Sequence, residues 1–351
     1  LAFPMEKAWV KTSPIPPQTA WTAPAKWDAY SGNDGLQSMR NFDPAFFTTV
    51  DGDQLYYGSS VDHAVHCLDT RTGEERWVFF TGGPVRLPPS LHEGRAYFGS
   101  DDGYAYCVNT KSGSEIWKHR PVPDSRFIPS DGKLISLWPV RTGVLVQDGT
   151  AYFAGSLLPW EPSYLCAVDA DTGEARYTQE QDGVTLQGAM LASESLLYVP
   201  QGRSTPLRFA KEDGQRLPDV AGSGGVFCIL TPEDHQIAGP ASQKAADDLI
   251  RITAPGKKDA VISFPGTNRI LVYGEHAYLH QGNQLTAINR IKLQELHQTE
   301  NPDPGAAESC FLWRTAHPEV PVGYILAGDV LFAGTDGQVT AYDAATGEVV
   351  W

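Results

Sequence analysis

Residues 99–117 read GSDDGYAYCVNTKSGSEIW and nearly repeat residues 58–77, which read GSSVDHAVHCLDTRTGEERW. The late glycines of the two stretches, Gly73 and Gly113, are 40 residues apart. A period of this length is typical of supersecondary units that stack on one another to bury a shared core. These two stretches therefore determine the fold class that the rest of the chain must fit.

Further copies of the unit follow along the chain. Two are clear, at 151–177 and 331–351, and more degenerate ones lie at 197–214, 227–264 and 277–289. Each copy predicts four short antiparallel strands, with a tight hairpin such as Asp102-Gly103 in the middle. A turn such as Asp69–Gly73 precedes the last strand, and its glycine supplies a positive φ. Four strands per ~40 residues predict an all-β fold, the β-propeller of four-stranded antiparallel blades.

The composition agrees with this prediction and excludes several classes of protein. The 34 glycines and 26 prolines among 351 residues exceed the usual combined share of about 12%. The formal net charge of −15 gives no basic footprint, so nucleic acid is not expected as a partner. No apolar run approaches the ~18 residues of a membrane-spanning helix. The five cysteines form no CxxC, haem-attachment or zinc pattern.

The turn before the last strand carries a family resemblance. Leu68-Asp69…Thr72-Gly73…Trp77 and Ala341-Tyr342-Asp343…Gly347…Trp351 resemble the tryptophan-docking motif of pyrroloquinoline-quinone (PQQ) enzyme repeats. The resemblance covers residues 46–351 and is to quinoprotein alcohol dehydrogenase-like propellers, above all to bacterial, planctomycete-type PQQ-like repeat proteins of unknown activity. It implies an extracytoplasmic location, periplasmic or in the cell envelope. It also implies that the aromatic residues at the blade ends pack between blades, namely Trp77, Trp117, Tyr177, Trp313 and Trp351.

The domain organisation follows from counting the blade ends. Eight positions, the first near Trp9 and the last at Trp351, predict an eight-bladed ring, with seven blades as the alternative. Residues 1–351 are expected to form a single propeller domain within a longer polypeptide, with inserts at residues 120–142 and 291–310. A short helix is expected at the start of the second insert.

Candidate ligand-binding residues lie where the first strand of each blade would line the central channel. Arg86 and Arg141 each stand eleven residues before a repeat tyrosine, and Gln187 occupies the same position one copy later. Arg269 lies close to that position in a further copy. Two channel arginines could bind a small anionic ligand through carboxylate or phosphate oxygens. Alternatively, each arginine bonds backbone carbonyls or a nearby aspartate and holds adjacent blades together.

The inserted loops provide a second candidate surface. Trp138 and Trp160 stand in long connections that interrupt the repeat, and Arg126 lies in the first of them. Loops on a rigid scaffold are where binding residues concentrate. These three residues are therefore candidates for binding a protein partner or, through the tryptophans, a carbohydrate.

Three functions stay open at this point. The first is a non-catalytic binding scaffold that recognises a ligand or protein partner. The resemblance implies the second, a PQQ- and calcium-dependent oxidoreductase in which Arg86 and Arg141 hold the cofactor carboxylates. The third is a carbohydrate-binding propeller. The scaffold is preferred over the oxidoreductase, because the adjacent cysteine pair and the haem motif of the quinoprotein enzymes are missing. No metal site and no cofactor are predicted, and no catalytic residue is assigned.

Overall fold

A computed structural model describes residues 1, 3–15, 47–130, 132–201, 204–218, 227–239, 249–254, 260–298 and 306–351. Within it the chain forms two compact units. The first unit is Ala8–Val220, and the second combines Leu1–Lys7 with Ala221–Trp351.

The described residues of the first unit form four antiparallel blades whose strands neighbour one another in chain order. Their strands are β1 (Thr48–Asp51), β2 (Gln54–Ser59), β3 (Ala64–Asp69) and β4 (Glu75–Phe80) in blade 1; β5 (Ser90–His92), β6 (Arg95–Gly99), β7 (Ala105–Asn109) and β8 (Glu115–His119) in blade 2; β11 (Leu145–Gln147), β12 (Thr150–Gly155), β13 (Ser163–Asp169) and β14 (Ala175–Gln181) in blade 3; and β15 (Leu191–Ala192), β16 (Leu196–Gln201) and β17 (Ser204–Ala210) in blade 4. A separate hairpin, β9 (Phe127–Ser130) with β10 (Lys133–Ser136), lies between the second and third blades in the chain.

The described residues of the second unit form three more blades of the same kind. Their strands are β18 (Phe227–Leu230), β19 (Gln236–Gly239), β20 (Leu249–Thr253) and β21 (Ala260–Pro265) in blade 5; β22 (Thr267–Tyr273), β23 (His276–Gln281), β24 (Gln284–Asn289) and β25 (Phe311–Ala316) in blade 6; and β26 (Gly323–Ala327), β27 (Val330–Thr335) and β28 (Gln338–Asp343) in blade 7. A bridge between Tyr342 and Val349 places a short last segment beside β28.

The described residues therefore form seven blades, and the prediction of an all-β propeller with small antiparallel blades is confirmed. Seven is the number given as the alternative to eight. The additional position counted from the sequence, at Trp9, belongs to a segment with no strand pairing among the described residues. Its indole is nevertheless bound to blade 1, because Trp9 Nε1 donates to the carbonyl oxygen of Thr70 at 2.9 Å.

Aromatic side chains join successive blades inside each unit. The indole nitrogens of Trp77, Trp117 and Trp313 donate to the carbonyl oxygens of Thr110, Ala170 and Ala344 on the next blade, at 2.8, 2.9 and 2.9 Å. Tyr177 makes the corresponding bond to Lys211 at 3.2 Å. Each of these side chains covers a positive-φ glycine of the next blade, and these glycines are Gly113, Gly173, Gly347 and Gly214. Apolar cores fill the spaces between the same blades.

The second predicted insert begins as an α-helix, α1 (Arg290–Gln298), and ends in a 3-10 helix, Ala306–Cys310. Arg290 is almost completely buried, and its guanidinium pairs with both carboxylate oxygens of Glu233 at 2.8 and 3.0 Å. Leu293 and Cys310 join the apolar core of blades 5 and 6. The insert thus packs on the second unit. Residues 299–305, which include its Pro-Asp-Pro-Gly stretch, lie outside the described residues.

Candidate functional site

Arg86 and Arg141 converge on one buried carboxylate. Arg86 Nε lies 2.8 Å from Asp101 Oδ2, and Arg141 contacts both Asp101 oxygens, from Nε at 2.7 Å and Nη2 at 2.8 Å. The side chains of Asp101 and Arg141 are 1% and 5% exposed. Burial opposes the ionisation of Asp101, but the charges of Arg141 and Arg86 outweigh it and hold its pKa below the usual value.

The backbone explains why these residues meet. Asp101 lies in the hairpin between β6 and β7, Arg86 precedes the first strand of blade 2, and Arg141 precedes the first strand of blade 3. Asp101 N donates to the carbonyl of Pro84, and Val140 N donates to that of Ser100. The cluster therefore connects one blade hairpin to the starts of two blades. Of the two interpretations of these arginines, this geometry matches the one in which they hold adjacent blades together through an aspartate.

The side chains of the other two predicted channel residues, Gln187 and Arg269, donate to backbone carbonyls. Gln187 is buried and donates to the carbonyl of Leu157 at 3.4 Å, and the residue after it, Gly188, donates from its backbone to the carbonyl of Arg141. Arg269 belongs to the second unit, where it donates to the backbone carbonyls of Pro321 and Asn268 at 2.9 Å. Gln187 is thus a neighbour of the arginine cluster, whereas Arg269 is bonded to the backbone of its own unit.

The first insert crosses three blades of the first unit, and we call residues 121–138 the strap. Its hairpin is held by Lys133 Nζ, which donates to the carbonyl of Ser60 in blade 1 at 2.8 Å. The backbone nitrogen of Ser136 donates to the carbonyl of Asp101 in blade 2 at 2.7 Å. The third attachment is Trp138 Nε1, which donates to the carbonyl of Pro162 in blade 3 at 2.8 Å.

The two faces of the strap hairpin differ in character. Ile128 and Ile135 pair across the hairpin, and Ile135 is buried. Ile128 lies against the small core of Val122, Leu137 and Trp138, to which Leu158 and Tyr164 of blade 3 contribute. The opposite face carries Pro129 and Leu134, which also pair, together with Phe127. Phe127 is 46% exposed and Leu134 is 65% exposed. The strap therefore has one face packed on the blades and one apolar face open to solvent.

The two tryptophans predicted as partner-binding residues differ in exposure, since one is buried and the other lies at the surface. Trp138 is only 3% exposed, because Arg126 lies over its ring at 4.8 Å and Tyr164 packs against it edge-on. Trp160 is 75% exposed. Its loop is held near the strap by an ion pair between Arg126 and Glu161, with Nη2 and Oε2 3.6 Å apart. Trp138 is thus positioned as an anchor under the surface, and Trp160 as part of the surface itself.

Sequence reasoning missed Asp101, Phe127 and Leu134. The signal for Asp101 is its place directly before the predicted Asp102-Gly103 hairpin, where an aspartate is typical of a turn. Phe127 and Leu134 alternate with Ile128 and Ile135 at the period of a strand. That alternation was the available signal for a two-faced hairpin inside the first insert.

The PQQ and calcium that the resemblance implies do not fit the residues assigned to them. The Nε atoms of Arg86 and Arg141, and Nη2 of Arg141, are directed at Asp101 rather than at a position where cofactor carboxylates could lie. Among the described ranges, no group of three or more His, Cys, Asp or Glu side chains is arranged to hold a metal ion. We therefore derive no catalytic step through this cofactor.

Four of the cysteines, Cys67, Cys107, Cys166 and Cys310, are free and buried. Within the described part of the chain, no helix is both long and apolar enough to cross a membrane.

Comparison with known proteins agrees with the fold. A family model described as outer membrane protein assembly factor BamB matches residues 18–136 and 101–351. Polyvinylalcohol dehydrogenase of Sphingopyxis sp. (strain 113P3) is 33% identical over 149 residues, 38% of this chain and 22% of the relative. Quinohemoprotein alcohol dehydrogenase of Comamonas testosteroni is 26% identical over 157 residues, 40% of this chain and 20% of the relative. The matches span about a fifth of each relative's length.

A solved structure of BamB from Moraxella catarrhalis superposes with a TM-score of 0.55 at 14% identity, covering 84% of this chain and 80% of that one. At this identity the likeness concerns the fold alone. The family model covers more than half of the chain, and the docked aromatic residues and glycine turns lie within its matches. The chain belongs to the PQQ-repeat β-propeller family whose model is described as outer membrane protein assembly factor BamB.

Proposed function

We propose that this protein is a non-catalytic binding scaffold located outside the cytoplasm, and that it binds a protein partner through the outer face of the strap. The proposed surface, which we call the strap surface, consists of Arg126, Phe127, Leu134 and Trp160. The single observation that carries the proposal is the exposure of Phe127 and Leu134 on an insert bonded to three blades, beside the exposed Trp160 on a loop that is paired to this insert.

The residue types of the strap surface favour protein binding. Aromatic residues and arginine are enriched at the centres of protein interfaces and dominate their binding energy. When a partner covers an exposed aromatic or aliphatic side chain, the removal of apolar surface from water contributes favourable binding free energy. The strap is also bonded to the blades through Lys133, Ser136 and Trp138, so little ordering entropy is lost when a partner binds.

The family description supports a partner of this class and the proposed location. An outer membrane assembly factor works in the cell envelope and with other proteins. The two dehydrogenase relatives, by contrast, match over only part of their length. The assigned arginines are engaged with Asp101, so we do not favour an oxidoreductase over a scaffold.

The test is a selection of binding peptides. We would select a displayed peptide library on the wild-type chain and measure the Kd of the enriched peptides for the wild type and for Leu134→Glu and Trp160→Glu. We expect these two variants to weaken binding at least ~10-fold, the effect of removing an interface residue that contributes more than about 1.4 kcal/mol.

The matched control is Tyr273→Glu, because Tyr273 is 67% exposed and belongs to the second unit, whereas the strap surface belongs to the first. It should leave the Kd unchanged. The proposal fails if the enriched peptides bind the two strap variants as tightly as the wild type while all variants keep the wild-type Tm.

A further inference from the structure

A pocket of about 350 Å³ lies between the first hairpins of blades 1 and 2. It is lined by Thr49–Asp51 of β1, by Leu91–Arg95 of the β5–β6 hairpin, and by Thr110, which follows β7. We call it the hairpin pocket. Its volume falls within the ~300–1,000 Å³ range of small-molecule sites. It belongs to the first unit and shares no residue with the strap surface, so it is a separate candidate site.

The backbone of the repeat identifies the equivalent place between blades 3 and 4. In blade 2 Thr110 N donates to the carbonyl of Gly94 at 3.0 Å, and in blade 4 Lys211 N donates to the carbonyl of Ser195 at 2.8 Å. Gly94 and Ser195 each belong to the turn of the first hairpin of their blade. Thr110 and Lys211 are thus corresponding residues of the repeat.

An ammonium group occupies the boundary between blades 3 and 4. Lys211 Nζ donates to Asp148 Oδ2 of the blade 3 hairpin at 3.0 Å and to the carbonyl of Ser193 in the blade 4 hairpin at 3.5 Å. The side chain of Lys211 is only 10% exposed, whereas that of Asp148 is 75% exposed. A boundary of this kind therefore takes up an alkylammonium chain and holds its nitrogen between a carboxylate and a backbone carbonyl.

Between blades 1 and 2 the corresponding side chains are too short to fill the same space. Thr110 Oγ1 donates to the carbonyl of Gly94 at 2.8 Å, so it is directed at the backbone of its own blade. The counterpart of Asp148 in blade 1 is Gly52, and no atom lies within 4 Å of a β-carbon added to it. The hairpin pocket is therefore the space that Lys211 and Asp148 occupy at the other boundary.

Acceptors for an ammonium group remain among the lining residues. His92 presents the backbone carbonyl that corresponds to the one bonded by the lysine, and Asp51 supplies a carboxylate. Glu93 adds a second carboxylate, which is 73% exposed. The guanidinium of Arg95 is paired with Asp171 of blade 3 at 2.7 Å, so its charge is balanced by a residue that does not line the pocket.

We propose that the hairpin pocket binds a primary alkylammonium group, carried by a free amine or by the lysine side chain of a peptide. The nitrogen donates to the carboxylate of Asp51 and to the carbonyl of His92, and the alkyl chain contacts Val50 and Leu91. Hydrogen bonds of this kind are strengthened by the two opposite charges. The formal net charge of −15 also favours the approach of a cation.

The test is a titration of the whole chain with butylammonium chloride, followed by NMR of the backbone amides. We expect saturable shifts at residues 49–51, 91–95 and 110, with a Kd of about 1–10 mM. Asp51→Asn should raise the Kd at least ~5-fold, and so should replacing the ligand by tetramethylammonium, which has the charge but no N–H donor. Asp336→Asn, an exposed hairpin aspartate of the second unit, should leave the Kd unchanged. Shifts that do not saturate, or equal Kd values for Asp51→Asn and the wild type, would overturn the proposal.

Two further variants exchange the two boundaries. Thr110→Lys should abolish butylammonium binding without lowering Tm, because the new side chain fills the hairpin pocket as Lys211 fills its counterpart. In Lys211→Ala a second site opens, so saturating butylammonium should raise its Tm at least about 1 °C more than that of the wild type. Retained binding in folded Thr110→Lys contradicts the proposal, as does an equal Tm increase in Lys211→Ala and the wild type.

Nα-acetyl-lysine methylamide distinguishes the two sources of the ammonium group. A Kd no weaker than that of butylammonium assigns the hairpin pocket to a lysine side chain of a peptide, and a weaker Kd assigns it to a free amine. The absence of binding by both ligands overturns the proposal.

Discussion

Trp117 and Gly173 are interlocked across the boundary between blades 2 and 3. The indole nitrogen of Trp117 donates to the carbonyl of Ala170 at 2.9 Å, and a β-carbon added to Gly173 would lie 2.8 Å from the indole ring. Gly173 also has a φ of 74°, which favours glycine. One glycine therefore serves two purposes, the left-handed turn and the seat for a neighbouring ring.

We expect Gly173→Ala to lower the free energy of unfolding by about 2–4 kcal/mol, the sum of left-handed strain and displacement of the packed ring. Gly183→Ala is the matched control. Gly183 has a φ of 69° and no atom within 4 Å of an added β-carbon, so only the strain of about 1–2 kcal/mol applies. Chemical denaturation of both variants provides the measurement. Equal losses of unfolding free energy in the two variants would show that the packing of Trp117 on Gly173 contributes nothing to stability.

Asp101→Asn should destabilise the protein by about 3–5 kcal/mol, because it leaves two buried guanidinium groups without their shared carboxylate. The control is Asp171→Asn, which breaks the pair between Arg95 and a carboxylate that is 66% exposed. Exposed pairs contribute about 0–1 kcal/mol. Thermal and urea unfolding of the two variants would measure the difference. A loss at Asp101 no larger than at Asp171 would contradict the structural role of the arginine cluster.

Acid should destabilise the protein between about pH 4 and pH 2. Hydrogen bonds from Arg76 and Arg176 lower the pKa of Asp69 and Asp169 from 3.8 to about 2. A depressed pKa in the folded state contributes stability above the unfolded pKa, and this stability is lost as the pH falls through the folded pKa. Tm measured from pH 5 to pH 2 should fall steeply below pH 4. In Asp69→Asn/Asp169→Asn the fall should be shallower, and an identical slope would refute this assignment.

Trp138→Ala should loosen the strap without unfolding the blades, because Trp138 fills the small core beneath the hairpin and bonds the Pro162 carbonyl. Hydrogen–deuterium exchange of residues 127–136 should become at least ~10-fold faster, corresponding to a loss of about 1.4 kcal/mol of local stability. Trp160→Ala is the control and should leave this exchange unchanged. Slow exchange in Trp138→Ala would mean that the other two attachments hold the strap alone.

Thiol reagents should react slowly with the folded protein. Burial raises the pKa of Cys107 and Cys166 to about 12, so almost no thiolate exists at neutral pH. We expect Cys107 and Cys166 to remain unmodified by a disulfide reagent at pH 8 until denaturant is added, as followed by mass spectrometry of peptides. Modification of either residue in the native protein within the time in which a model thiol reacts would contradict this burial.

The fold was predictable from the sequence because the repeat signals are local. Asp69 bonds the backbone nitrogens of Arg71 and Thr72, and the turn closes when Gly73 N donates to the Asp69 carbonyl. All of these contacts lie within five residues, so the sequence around one turn specifies its conformation. The spacing of such turns then gave the blade pattern.

The candidate site was predictable only in part, because its contacts are non-local. Arg141 and Asp101 are 40 residues apart. Whether Arg141 bonds this carboxylate or a backbone carbonyl depends on how blades 2 and 3 pack together. Trp138 and Trp160 both stand in long connections. Arg126 and Tyr164 pack on the ring of Trp138, which is buried, whereas Trp160 is exposed. Side-chain type identifies the candidates, but tertiary packing decides which of them reach solvent.

The docked tryptophans also have a consequence for how the polypeptide is made. Trp77 meets its acceptor 33 residues later, Trp117 meets its acceptor 53 residues later, and Trp313 meets its acceptor 31 residues later. As the chain leaves the ribosome, each blade can close onto its predecessor after a few dozen further residues have emerged. Folding in this order limits the time for which the apolar face of a blade is exposed to solvent before the next blade covers it. A slowly translated stretch placed just after a docking tryptophan would prolong this exposure and raise the yield of aggregated nascent chains.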